Sequence, residues 1–189
     1  MSVHTESLPV SRQQDWEAAT PYPEWVAHVE DLAELWASAT SRASVAEALV
    51  ARVEAALGTW RILVLTEDWC IDATATAPTI AQLAAEAVNL DLRVLNRDEH
   101  LDLMDQHLTN GTARSIPVAI LLDGEGVERG WWGPRPTDLQ AWFEETGRGL
   151  ESEERYRELR KWYARDRGQT TAREIVELIE HAAGAGAVL

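Results

Sequence analysis

A chain of 189 residues, 46% hydrophobic and 26% charged, suits one domain with appended elements and a sizeable core. Its net charge of −15 argues against the basic surface that nucleic acid or an anionic membrane requires, so neither is an expected partner. A single cysteine excludes an internal disulfide and a thiolate-only metal site, and no uncharged apolar stretch of about 18 residues offers a membrane span.

Met1 to Asp15 lack a basic region followed by an apolar block, so no signal peptide is expected and the cytoplasm is the expected compartment. Residues 1–23 read as an irregular arm ending at Pro21-Tyr22-Pro23. Trp25, Val29, Leu32, Leu35, Trp36 and Ala39 recur at three- and four-residue steps, which predicts one helix. Ser44 with Glu47 resembles a capping box opening a second helix through Val45, Leu49, Val53 and Leu57, stopped by Gly58.

Ile62-Leu63-Val64-Leu65 is a continuous apolar run of the buried central-strand kind. After Thr66-Glu67-Asp68-Trp69-Cys70 comes an Ala-rich helix carrying Pro78, Ile80, Leu83 and Ala84, and then a strand over 90–95. A third helix is expected over about Glu99 to Leu108, with Asn110-Gly111 as its C-cap. Val118 to Leu122, a Gly-rich turn and Val127 to Trp132 predict a hairpin. Helices follow at roughly 137–147, 151–166 and 172–183, the last with Thr171 and Glu174 as a second capping-box pattern. Strand, helix, strand, helix, hairpin, helix is an α/β order, with one parallel crossover pair and antiparallel additions in a single mixed sheet flanked by helices.

The five histidines (His4, His28, His100, His107, His181) show no metal-ligand spacing. Each reads as a surface or helix residue, and no metal is assigned. Cys70 is the one group placed for chemistry. It follows a buried strand and opens a helix, where free N–H groups and the helix dipole favour a thiolate. Glu67, Asp68 and Asp72 crowd it with negative charge, which opposes ionisation. Asp72 either relays protons to the thiol or caps the helix. Arg97 and Arg114 reach the same rim, either to hold a thiolate or a carboxylate or to form ordinary salt bridges. Trp131, Trp132 and Arg135 either form a partner surface or pin their loop to the core. Tyr156, Leu159, Trp162 and Tyr163 read as packing residues of the C-terminal helices.

Trp69-Cys70 after an apolar strand, Pro78 eight residues beyond the cysteine, and Ile116-Pro117 before the hairpin resemble the thioredoxin pattern over about residues 44–147. Thr66-Glu67-Asp68-Trp69-Cys70, Asn96-Arg97-Asp98-Glu99, Asn110-Gly111-Thr112 and Trp132-Gly133-Pro134-Arg135-Pro136 are similar to a little-characterised bacterial and archaeal thioredoxin-like family with a Trp-Cys-x-Asp-x motif. Trp162-Tyr163, Asp166 and Gly168 extend that likeness to about residue 180. The resemblance implies a thioredoxin-like fold: an arm and helix over 1–43, the domain over 44–149, and C-terminal helices over 150–189. It implies a cis-proline at Pro117 lying against the sulfur. It also implies Cys70 as nucleophile, with Trp69, Ile116 and Pro117 meeting the substrate, and Asp72 and Arg114 are expected to join them from their places beside the cysteine and on the rim.

Two departures limit that analogy. The second cysteine of the thioredoxin motif corresponds to Ala73, and the buried acid to Val64. Exchange through Cys70 is therefore expected to be monothiol, with no cofactor beyond a low-molecular-weight thiol co-substrate and with a protein or small thiol/disulfide as partner. A non-catalytic binding or scaffold protein, and a redox sensor forming a disulfide between chains, are the competing readings.

Overall fold

The structure, a computed structural model, describes residues 2–5 and 10–186. In chain order its elements are β1 (Val3–His4), α1 (Gln13–Ala18), β2 (Thr20–Pro21), α2 (Tyr22–Ala27), α3 (Ala33–Arg42), α4 (Glu47–Ala55), β3 (Trp60–Thr66), α5 (Ile71–Glu86), β4 (Leu90–Asn96), α6 (Leu101–Met104), β5 (Val118–Asp123), β6 (Glu128–Trp132), α7 (Thr137–Glu145), α8 (Ser152–Asp166) and α9 (Gln169–Gly186). They form one six-stranded mixed sheet of order β1-β6-β5-β3-β4-β2, flanked by helices. The apolar run Ile62 to Leu65 makes β3 the buried centre, paired in parallel with β4 and antiparallel with β5. Helix α5 is the crossover between the parallel strands, which delivers its N-terminus to the carboxyl end of β3.

The N-terminal arm is more ordered than its sequence suggests. β1 pairs with β6 and β2 with β4, so two-residue strands close both sheet edges. Elements this short carry no period for a sequence to display. The arm is fixed instead by side chains. Arg12 Nε meets Glu128 Oε2 at 2.7 Å in the interior, and the guanidinium groups of Arg61 and Arg93 lie over the Trp16 ring. His107, expected at a surface or in a helix, is a buried turn residue bonded to Leu103 O and Glu128 Oε1. His4 lies in β1, stacked on Trp131.

The single helix expected over Trp25 to Ala39 is two. The N–H groups of Glu30 and Asp31 both donate to Asp68 Oδ2 at 3.0 Å, and Leu32 turns left-handed at φ 53° to start α3. Neither capping box forms. α4 starts two residues after Val45, with extended Ala46 as its N-cap and no side-chain bond there. α9 starts at Gln169, which leaves Thr171 inside the helix. Glu174 instead accepts from Trp132 Nε1 (2.7 Å) and Thr137 N (2.9 Å), so it caps α7 rather than its own helix. α4 also ends at Ala55, before Gly58. The helix expected over Glu99 to Leu108 is a 3-10 turn followed by the four-residue α6, and Asn110-Gly111 sits in a tight turn closed by a Thr109–Ala113 bridge. Among the described residues no helix is long and apolar enough to cross a membrane.

Candidate functional site

Cys70 is the N-cap of α5, just beyond the carboxyl end of β3. Its Sγ donates to the Ile116 carbonyl at 3.5 Å, and the Ile116–Pro117 peptide bond is cis. Pro117 is buried, and Gly133 packs over it. Gly133 has φ +142°, and a Cβ there would collide with the Pro117 carbonyl oxygen, so only glycine lets the two loops approach this closely.

The thiol is 7% exposed, and burial first, with the Asp72 charge second, pushes its pKa up to about 12. The N–H groups of Ala73 and Asp72 and the Arg135 cation offset part of this rise. The helix N-terminus thus acts in the expected direction, but desolvation outweighs it. Of the three acids expected to crowd the sulfur, Asp72 alone does so. Glu67 accepts from Asp98 N at 2.7 Å, and Asp68 is occupied by the Glu30 and Asp31 amides.

Asp72 does not cap α5 with its side chain. Its Oδ1 accepts from Tyr163 Oη at 2.8 Å and its Oδ2 meets Arg135 Nη2 at 2.6 Å. Tyr163 comes from α8, and burial followed by the Asp72 charge drives its phenol well above the ordinary range, so it acts as a donor. Arg135 comes from the connection after β6 and rests on the Phe143 ring at 3.9 Å. A carboxylate beside the cysteine is therefore clamped by two groups that the sequence did not link to it.

Trp69 is 47% exposed beside the cysteine, with the Arg97 guanidinium 5.1 Å from its ring centre. Arg97 pairs with Asp98 and donates to Arg114 O, and Arg114 forms a fork with Asp105, so both make the ordinary salt bridges considered for them. Trp131 and Trp132 are buried and pin their loop. A cleft of about 450 Å³ opens over the sulfur. It is lined by Trp69, Cys70, Asp72, Arg114 and Ile116 from the expected set, and also by Arg135 and Phe143. Arg148, Arg155, Tyr156 and Leu159 line it as well. The sequence marked Tyr156, Leu159 and Tyr163 as one helical face, which signals packing but not what that face covers.

Residues 19–148 match the family model described as thioredoxin. Among solved structures, a Pseudomonas aeruginosa protein of unknown function is similar with a TM-score of 0.72 at 20% identity, over 92% of this chain and 99% of that one. An HIV epitope scaffold is similar with a TM-score of 0.68 at 19% identity, over 91% of this chain and 99% of its own. At these identities the two likenesses speak for the fold alone. No curated protein matches the chain.

Proposed function

The chain belongs to the thioredoxin family, and on that premise we propose that it exchanges thiols and disulfides through Cys70 acting as a single thiol. The observation that carries this reading is the placement of Sγ: on a residue that is the N-cap of α5 and lines a cleft, against the Ile116–Pro117 backbone. Cys70 loses its proton and its thiolate attacks one sulfur of a substrate disulfide. The new Cys70–substrate disulfide forms as the other sulfur leaves and takes up a proton. With Ala73 in place of a second cysteine, an external thiol must then attack the mixed disulfide and return Cys70 as the thiol. Electrons pass from the external thiol to the substrate disulfide with no other redox group. Trp69 covers the sulfur, the backbone at Ile116 and Pro117 aligns the substrate, and Arg114 and Asp72 border it. The chemistry suits a reducing compartment such as the cytoplasm, where external thiols are abundant.

The test is turnover of a glutathionylated peptide with excess free thiol, with intact mass reporting the Cys70 mixed disulfide. Cys70→Ser is expected to reduce turnover to background, and equal turnover in the variant overturns the reading. One observation favours a second reading, a binding protein without turnover: a thiol held up at about 12 is almost wholly protonated at neutral pH. That reading requires partner capture to be unchanged by Cys70→Ala and wild-type turnover to be absent.

A further inference from the structure

The cleft is an electrostatic exception on this molecule. The chain carries 32 acidic and 17 basic residues, yet five arginines (Arg97, Arg114, Arg135, Arg148 and Arg155) and one carboxylate, Asp72, line this hollow. Three of the arginines are committed: Arg97 to Asp98, Arg114 to Asp105 and Arg135 to Asp72. Arg148 and Arg155 differ. Among the described residues neither has a carboxylate within ion-pair distance. Arg148 lies 6.0 Å from the Phe143 ring and feels Glu144, whose carboxyl is hydrogen-bonded by Asn110 and Gln140, without a direct ion pair, and Arg155 donates to Leu150 O beside its own neighbour Tyr156. An acidic chain has carboxylates to spare for them, yet among the described residues these two guanidinium groups, which line the same cleft as Trp69 and Cys70, form no direct ion pair.

We propose that this cleft binds a small disulfide carrying two or more oxyanion groups, which Arg148 and Arg155 hold while its sulfur lies over Cys70. The proposal deepens the exchange reading and names its substrate class. A guanidinium presents a fork of N–H donors that fits a carboxylate or a phosphate equally well. Size and charge both favour a small molecule over an acidic protein. About 450 Å³ lies within the range of small-ligand sites. A large acidic partner would meet the repulsion of a surface with net charge −15, whereas a small anion meets the local field of the cleft.

Binding can be read without exchange. Cys70→Ser protein is titrated by calorimetry with three probes: glutathione disulfide, which carries carboxylates; the disulfide of coenzyme A with cysteamine, which carries phosphates; and cystamine, which carries neither. One or both anionic probes should bind at least about tenfold more tightly than cystamine, and their ranking identifies the oxyanion. Adding Arg148→Gln and Arg155→Gln should weaken the preferred probe by at least about tenfold, with thermal denaturation checking that the fold is retained. Cystamine binding as tightly as both anions, no probe binding, or binding indifferent to the two arginines overturns the proposal. Because the protein tested cannot exchange, loss of turnover in the earlier experiment leaves this result standing, and the reverse also holds.

Discussion

At the scale of single residues, Cys70 answers to burial first and to its neighbour two positions on second. Burial is the larger cause of its raised pKa, but Asp72 is the part that substitution can remove without opening the core. Asp72→Asn deletes one negative charge near the sulfur and releases the Arg135 cation from its ion pair, and both changes favour the thiolate. Alkylation of the native variant by iodoacetamide at neutral pH should be about tenfold faster or more, while Tyr163→Phe, which keeps the charge, should change it much less. A variant no faster than the wild type would show that Asp72 does not govern the thiol. The sign with pH follows. A thiol with a pKa of about 12 in the fold and an ordinary value of 9.0 ionises first in the unfolded chain. Its contribution to stability is therefore intact below about 9 and is lost as pH rises toward 12. Of Glu67-Asp68-Trp69-Cys70-Ile71-Asp72, the last four residues line the cleft. The segment gave no sign of which acid faces the sulfur, because neighbours in sequence point in different directions at a strand-to-helix junction.

At the scale of elements, the site depends on the connection from Trp132 to Thr137, which brings Arg135 in and lays Gly133 over Pro117. Glu174 of α9 holds both ends of it, accepting from Trp132 Nε1 in the interior and from Thr137 N at its partly buried end. Glu174→Ala leaves one buried and one partly buried donor unpaired and should cost about 1–4 kcal/mol, read by urea denaturation. The same variant should loosen Arg135 and quicken Cys70 alkylation, and a stable variant with unchanged alkylation would detach α9 from the site. The long strands and helices were legible in sequence because each buries a continuous run or a helical face, as in Ile62 to Leu65 and Ile80 to Leu83. The caps were not. Ser44-Glu47 and Thr171-Glu174 satisfy the local pattern, but Ala46 and Gln169 set the actual helix starts, and tertiary bonds claim Glu174. The helix break at Asp31-Leu32 was hidden for the same reason, since its cause is the Asp68 carboxylate more than thirty residues away in sequence.

At the scale of the whole molecule, charge acts in two opposite ways, and salt separates them. Arg148 and Arg155 reach the cleft only because the helices after β6 fold back over the site, about 80 residues in sequence from Cys70. No spacing in a sequence announces that, so the overall charge of −15 was legible while its local reversal was not. The excess of acidic groups repels itself across the surface, and most of the ion pairs that might compensate are exposed and worth little each. Two arginine pairs with strong burial among the described residues, Arg12–Glu128 and Arg135–Asp72, are shielded from added ions. Raising ionic strength from about 0.01 to 0.15 M shortens the screening length from about 30 to 8 Å, which should relieve the self-repulsion and raise the melting temperature. The same change should weaken an anionic disulfide in the arginine cleft, because its attraction is screened as well. Salt therefore should stabilise the fold and loosen the ligand together. Thermal denaturation and calorimetric titration over the same salt series measure both slopes. A melting temperature that falls with salt would mean the exposed ion pairs outweigh the net charge, and a salt-independent affinity would remove charge from the account of the cleft.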